Sequence, residues 1–193
     1  FFMFATLGLP MYGTRSISRA RGDRGSFNRL FTELLLLAGM LTSIATLAYF
    51  SLPLLFERFR SELFLHVAFG LVVFTNFAKL DWFFQGIENY RYITIRNLFV
   101  RLLSIAAIFV VIREAEDYKL YGLIWVAGAV VGNLWNLLYS FRFGKLDFHS
   151  FRPFRHLPAL LPSFALVVTG TLYNGVDTVM LGSMIDDGGV SVG

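Results

Sequence analysis

LLLLAGMLTSIATLAYFSLPLLF, residues 34–56, contains no charged side chain. A helix rises 1.5 Å per residue and the hydrocarbon core of a bilayer is about 30 Å thick, so about 20 apolar residues suffice to cross it. Working outward, five further runs have the same character. Residues 1–11 read as the tail of one span. Residues 63–84 form a third span, with Lys79 and Asp81 toward its end, and residues 97–112 a fourth, carrying Arg101. Residues 120–141 are free of charge, and residues 157–181 carry Asp177. Backbone polar groups cannot stay unpaired in hydrocarbon, so these segments are expected to be helices. They are too long and too uniformly apolar for the alternating strands of a barrel. The fold class is all-α integral membrane, a multi-spanning helical bundle.

Composition agrees. Of 193 residues, 56% are hydrophobic and 16% charged, against roughly 45–50% and about 25% in soluble domains. Mean hydropathy is +0.62. A soluble domain of this length leaves too much surface exposed to hide so many apolar side chains. With no cysteine, disulfides, thiolate catalysis and cysteine metal sites are excluded. The chain opens on Phe1 inside an apolar run with no basic segment before it, which does not read as a signal peptide. It closes on Gly188-Gly189-Val190-Ser191-Val192-Gly193, and both ends read as cuts in something longer.

The loops alternate in charge. The first carries Arg15, Arg19, Arg21, Arg24 and Arg29 against Asp23 alone, and the second, residues 57–62, is balanced. Lys79, Arg91 and Arg96 make the third region basic. Residues 113–119 are slightly acidic. Arg142, Lys145, Arg152 and Arg155 make the fifth loop basic, and the tail has Asp186 and Asp187 with no base. By the positive-inside rule the loops near residues 14–29, 85–96 and 142–156 are expected in the cytoplasm, with the chain in the cell (inner) membrane.

Trp82, Phe83, Phe84, Tyr90 and Tyr92 cluster where the third span meets that side, as an aromatic belt would. Gly128 and Gly132 form a GxxxG pair that lets another helix approach closely, and Asn133 and Asn136 are placed to hydrogen-bond across to a neighbour. Pro162 is expected to bend the last span near its start.

Ionisable groups inside a bilayer cost about 2.5–3.5 kcal/mol each on insertion scales, so they face a cavity or a partner. At 100° per residue Asp81, Gln85, Glu88 and Tyr92 share one helix face, and Lys79 lies opposite Asp81. Such a stripe suits cations, sugar hydroxyls or basic side chains of a neighbouring helix. The plainer reading has Asp81 and Glu88 at the interface, paired with Arg91, Arg96 or Arg101. Arg101, roughly a turn inside its span, either snorkels to the surface or meets an anionic headgroup with its planar fork. Lys79 either snorkels or joins it in a cationic mouth. Asp177 is a candidate ion-coupling group or a helix-end acid near water. His66 reads as an interface residue. The sequence has no phosphate-cradling glycine loop, no HExxH pair and no metal-ligand cluster, so neither cofactor nor metal is called. The basic loops carry no nucleic-acid motif.

The segment Asp81-Trp82-Phe83-Phe84-Gln85-Gly86-Ile87-Glu88-Asn89-Tyr90-Arg91-Tyr92-Ile93 closely resembles the stretch after the fourth helix of Wzx-type oligosaccharide flippases. These are the polysaccharide transporters of the multidrug/oligosaccharidyl-lipid/polysaccharide superfamily. Residues 8–15 are similar to the end of the second helix and its basic loop, Asp117-Tyr118 to the lead-in to the sixth, and residues 176–182 to the seventh. Ser191 departs from the pattern, because relatives run from Val-Gly into aromatic residues. The resemblance implies two helical lobes rocking around a central cavity. Residues 1–145 would be a partial N-terminal lobe, 146–156 a cytoplasmic inter-lobe linker, and 157–193 the start of the C-terminal lobe.

The implied activity is translocation, not bond chemistry: a polyprenyl-diphosphate-linked oligosaccharide is turned from the cytoplasmic to the outer face for surface polysaccharide biosynthesis. Arg101, with Arg15 or Lys79, is then the candidate for the diphosphate. Asp81, Gln85 and Glu88 are candidates for glycan contact or gating, and Asp177 for ion coupling. Implied partners are the lipid-linked oligosaccharide, membrane lipid, and the polymerase and glycosyltransferases of glycan assembly. The rivals are a cation-coupled multidrug exporter and a peptidoglycan-precursor lipid flippase of the same superfamily. A membrane-embedded glycan polymerase or ligase would need larger outer loops than residues 57–62 and 113–119. A purely structural subunit would not need charges at Arg101 and Asp177.

Overall fold

The computed structural model describes residues 6–55, 59, 60, 62–114, 117–149 and 152–184; the side chains at 55, 174 and 177–184 lie outside that set. Among the described residues there is no strand. The helices are α1 (Leu9–Ala20), α2 (Arg24–Leu55), α3 (Leu63–Thr75), α4 (Asp81–Gly86), α5 (Tyr90–Val111), α6 (Tyr118–Ser140) and α7 (Leu157–Met184). Single 3₁₀ turns occupy Asn76–Ala78 and Pro153–His156. Five stretches are long and apolar enough to cross a membrane, α3 and α4 counting as one. The chain is an all-α, multi-spanning membrane protein. Residues 1–5 of the first expected span, 1–11, lie outside the described residues.

The basic first loop is compressed into a turn at residues 21–23, because α1 and α2 run up to it from both sides. Asp23 starts α2: its carboxylate accepts from the backbone N–H groups of Gly25 at 3.1 Å and Ser26 at 3.2 Å. These bonds satisfy amides that a helix N-terminus otherwise leaves open.

The third span is not one continuous helix. It breaks at residues 76–80 and again after Gly86, where Glu88 takes a left-handed φ of 60°. The expected single face through Asp81, Gln85, Glu88 and Tyr92 therefore does not exist, and Lys79 is not held opposite Asp81 by a helix. The aromatic block is not a belt either. Trp82, Phe83 and Phe84 are buried, packed with Phe27, Phe31 and Leu34 of α2 and Ile17 of α1 in the main core. Two close approaches allow this. A Cβ on Gly13 would come within 2.5 Å of the Trp82 ring, and one on Gly86 within 2.7 Å of Ile17.

Polar side chains of α2 hold the irregular segment that leads to α7. Asn28 accepts from the Lys145 N–H at 3.0 Å and Thr32 from the Asp147 N–H at 2.8 Å. Asn28 and Thr32 are one turn apart, so one face of α2 supplies partners to a backbone that has no ladder of its own. Gly128 passes close to α5, where a Cβ would meet Ser104 at 2.7 Å. This is the close helix approach expected of a GxxxG pair.

The contacts sort the loops into two ends. Arg21, Gly86 and Glu88 meet at one end, as do Asn28, Lys145 and Arg152 through α2. At the other end, the Tyr118 hydroxyl donates to Glu62 at 3.2 Å. The main core and nearly all its aromatic residues sit at the basic end, and a smaller cluster of Ala68, Val72 and Val126 joins α3 to α6.

Candidate functional site

A cavity of about 510 Å³ opens between α1, α2, the 76–86 segment and α7. Leu9, Ala38, Trp82 and Val167 form apolar parts of its wall. Its polar wall comes from Thr42, Asn76, Lys79, Asp81, Gln85 and Thr171. The breaks in the third span create this wall, because irregular backbone at membrane depth is tolerated where it lines a cavity.

Asp81 is held from behind. Its Oδ1 accepts from Arg96 Nη2 at 2.9 Å and from Asn136 Nδ2 at 3.1 Å. Tyr92 in turn donates its hydroxyl to Asn136 Oδ1 at 3.2 Å, and Asn133 reaches Thr75 at 3.4 Å. Both side-chain bonds to Asp81 fall on one oxygen, which leaves Oδ2 without a partner among the described residues. Asn76 is 7% exposed and its Nδ2 has no hydrogen-bond partner among the described residues. Lys79 is exposed, and no contact engages its ammonium among the described residues. The Thr14 hydroxyl lies 3.4 Å from Gln85 Oε1, which steadies that amide at the cavity edge.

Three of the residues singled out by sequence thus share one cavity: Lys79, Asp81 and Gln85. The other three do not line it. Glu88 points to the basic end, 3.1 Å from Arg21. Arg15 is exposed on α1. Arg101 is exposed on α5, eleven residues beyond Tyr90. At 1.5 Å per residue that is about 16 Å from the helix start, not one turn. The sequence reading started this helix too late because Tyr90–Arg96 is polar. Asp177 falls on α7, its side chain outside the described residues. His66 is 5% exposed and stacks on Tyr49 with ring centroids 4.2 Å apart.

A second polar cluster escaped the sequence reading. Glu33 is fully buried in α2. It accepts from the Arg152 N–H at 3.0 Å, from Arg155 Nη2 at 2.8 Å and from His156 Nε2 at 2.8 Å, with Arg29 Nε at 3.5 Å. The Tyr12 hydroxyl lies 2.7 Å from His156 Nδ1. The cluster ties α1, α2 and the lead-in to α7 together. Its only sequence signal was an acid abutting the longest apolar run, at the boundary assigned to the loop. Asn76 was equally hidden, at an uncharged position in a span, whereas Arg96 stands with Arg91 and Arg101 among the candidate partners of Asp81, and it is the one that pairs with it.

Among the described residues no group of His, Cys, Asp and Glu is arranged to hold a metal ion. Comparison with known proteins adds the following. The profile of one family, described as polysaccharide biosynthesis protein, matches residues 1–193. A protein of Escherichia coli (strain K12), provisionally named an O-antigen transporter, is 24% identical over 132 residues, covering 68% of this chain and 32% of that protein. The aligned part thus spans about a third of that relative's length. No solved structure matches the chain.

Proposed function

The chain belongs to the polysaccharide biosynthesis protein family, and on that premise we propose that it works in a membrane transporter for a polysaccharide precursor. The cargo is a polyprenyl-diphosphate-linked oligosaccharide, carried from the cytoplasmic to the outer face of the inner membrane, with no bond made or broken. The observation that carries the reading is the cavity in which Lys79, Asp81, Gln85 and Asn76 meet within an apolar bundle. A diphosphate and several sugars cannot cross hydrocarbon bare, because unpaired charge and unpaired hydroxyls are both costly there.

In this reading the basic end faces the cytoplasm. The Lys79 ammonium meets the diphosphate, while Gln85, Asn76 and the open oxygen of Asp81 bond sugar hydroxyls. Arg15 and Arg101 lie outside the cavity and take no part in this assignment. Asp177 is the candidate ion-coupling group on α7. Residues 146–156 serve as the linker between lobes, and α7 opens the second lobe. The O-antigen role of the Escherichia coli relative favours the glycan cargo over a lipophilic drug.

Deletion of the gene in its own organism is expected to abolish surface polysaccharide and accumulate lipid-linked oligosaccharide in the inner leaflet. Return of the complete gene restores export, Lys79→Arg keeps it, and Lys79→Ala lowers it at normal protein level. Unchanged surface glycan in the deletion strain overturns the transport reading. Normal export by Lys79→Ala removes the lysine from it.

A further inference from the structure

Asp81 faces the cavity just described, and its partner Arg96 faces a different one. This second cavity, about 390 Å³, lies between α5 and α6 at the basic end. Its charged wall is Arg91 and Arg96, and its apolar wall includes Ile95, Phe99 and Trp135. We propose that it is a binding site for a membrane lipid with an anionic phosphate headgroup, the phosphate held by Arg91 and Arg96 and the chain laid along Ile95, Phe99 and Trp135.

Four observations carry this. The Arg96 side chain is 6% exposed, and among the described residues its Nε and Nη1 have no hydrogen-bond partner, because Asp81 and Asn97 both bind Nη2. A buried guanidinium with two unused donors is costly to keep unless something accepts from it. Arg91 is exposed and no contact engages its guanidinium among the described residues. The two arginines offer the forked geometry that suits phosphate oxygens. The site also sits at the N-terminus of α5, whose first turn has no acidic residue and whose N-cap, Asn89, makes no side-chain capping bond. The first amides of a 22-residue helix are thus open, with the positive end of its dipole beside them.

The fourth observation separates a lipid from a free anion. Beyond the charged mouth, α5 presents Ile95, Leu98, Phe99 and Leu102, each more than half exposed. A charged mouth continuous with an exposed apolar and aromatic stripe matches a molecule that has a phosphate at one end and a chain at the other. Inorganic phosphate would use the mouth and ignore the stripe.

The test is native mass spectrometry of the full-length protein, released from nanodiscs of phosphatidylcholine doped with phosphatidylglycerol. Retained phosphatidylglycerol is expected above its mole fraction. Arg91→Ala is expected to lower the excess about fivefold, the effect of about 1 kcal/mol for a basic residue near anionic lipid. Arg91 is exposed and has no partner among the described residues, so this variant is expected to keep the fold. Arg96→Lys keeps a charge for Asp81 but removes the fork, and is expected to lower the excess as well. In a separate arm, millimolar inorganic phosphate leaves the retained lipid unchanged. Retention at the bulk mole fraction, or equal retention by Arg91→Ala, overturns the site. Displacement by inorganic phosphate makes it a free-anion site and overturns the lipid assignment. The readout is binding and not export, so its failure leaves the transport reading standing.

Discussion

Glu33 and Asp81 are both carboxylates bonded to arginine near the basic end of the bundle, yet the regions around them differ. Around Glu33 everything is closed. Both oxygens are occupied, by the Arg152 amide, Arg155, His156 and Arg29, and the side chain has no exposed surface. Around Asp81 the closure is one-sided. Arg96 and Asn136 share one oxygen, the side chain is 24% exposed, and the rest faces a cavity. A buried charge with every lone pair satisfied fixes a geometry. A charge anchored from one side stays available to an occupant. The first region joins three parts of the chain, and the second leaves a carboxylate oxygen facing a cavity.

Glu33→Gln attacks the contrast most directly. It leaves the cations around a neutral amide, and breaking a buried pair costs about 3–5 kcal/mol. Arg155 and Arg29 retain contact with solvent, so the low end, about 3 kcal/mol, is expected. It would appear as a lowered unfolding temperature in detergent and loss of the monodisperse species. A variant as stable as the wild type would mean that the Glu33 cluster does not hold the fold.

Asp81→Asn is next, at about 2 kcal/mol, the scale for a hydrogen bond to a charged group. Here export is expected to fall by more than the drop in protein level explains. Equal losses in the two measurements would make Asp81 another structural carboxylate and erase the contrast. Gly13→Ala sharpens it by pressing on the helix that carries Asp81. The added methyl meets the Trp82 ring. Overpacking of about 1–3 kcal/mol is partly offset by the helix propensity of alanine, for a net loss of about 1 kcal/mol.

The smallest effect concerns Asp23 at the start of α2. A hydrogen bond from Ser26, then those from the backbone at Gly25 and Ser26, hold its carboxyl below the ordinary carboxylate value. A depressed value stabilises the fold above the unfolded pKa, and the contribution is lost as the pH falls below about 4. Asp23→Ala is expected to lower the unfolding temperature slightly at neutral pH, and by less at pH 3. A uniform loss at both values would show that charge plays no part.

Much of the fold was legible in residues 34–56 and the runs like them, because crossing hydrocarbon imposes length and apolarity one segment at a time. Loop charges gave the two ends for a similar reason. The candidate site was less legible. Lys79, Asp81 and Gln85 stood out as polar residues in or beside a span, but a continuous helix would put Lys79 on the face opposite Asp81, and only the broken helix brings it to the same cavity. Neither Gly nor Pro marks the break at residues 76–80, so no local signal announced it. Arg101 drew attention by its charge, while Arg96 was one of three candidate partners for Asp81, and only the packing of α5 against α4 selected it.

The sequence by itself determined that this is a helical membrane protein, which stretches are apolar enough to cross, and which turns share a basic end. Those properties follow from transfer free energies that each segment carries alone. Only the tertiary structure decided that Trp82, Phe83 and Phe84 are core, that Glu33 is sealed while Asp81 is open, and that Arg96 stands between two cavities. These depend on which helices meet and at what distance, and a satisfied carboxylate and an unsatisfied one are written with the same kind of letter.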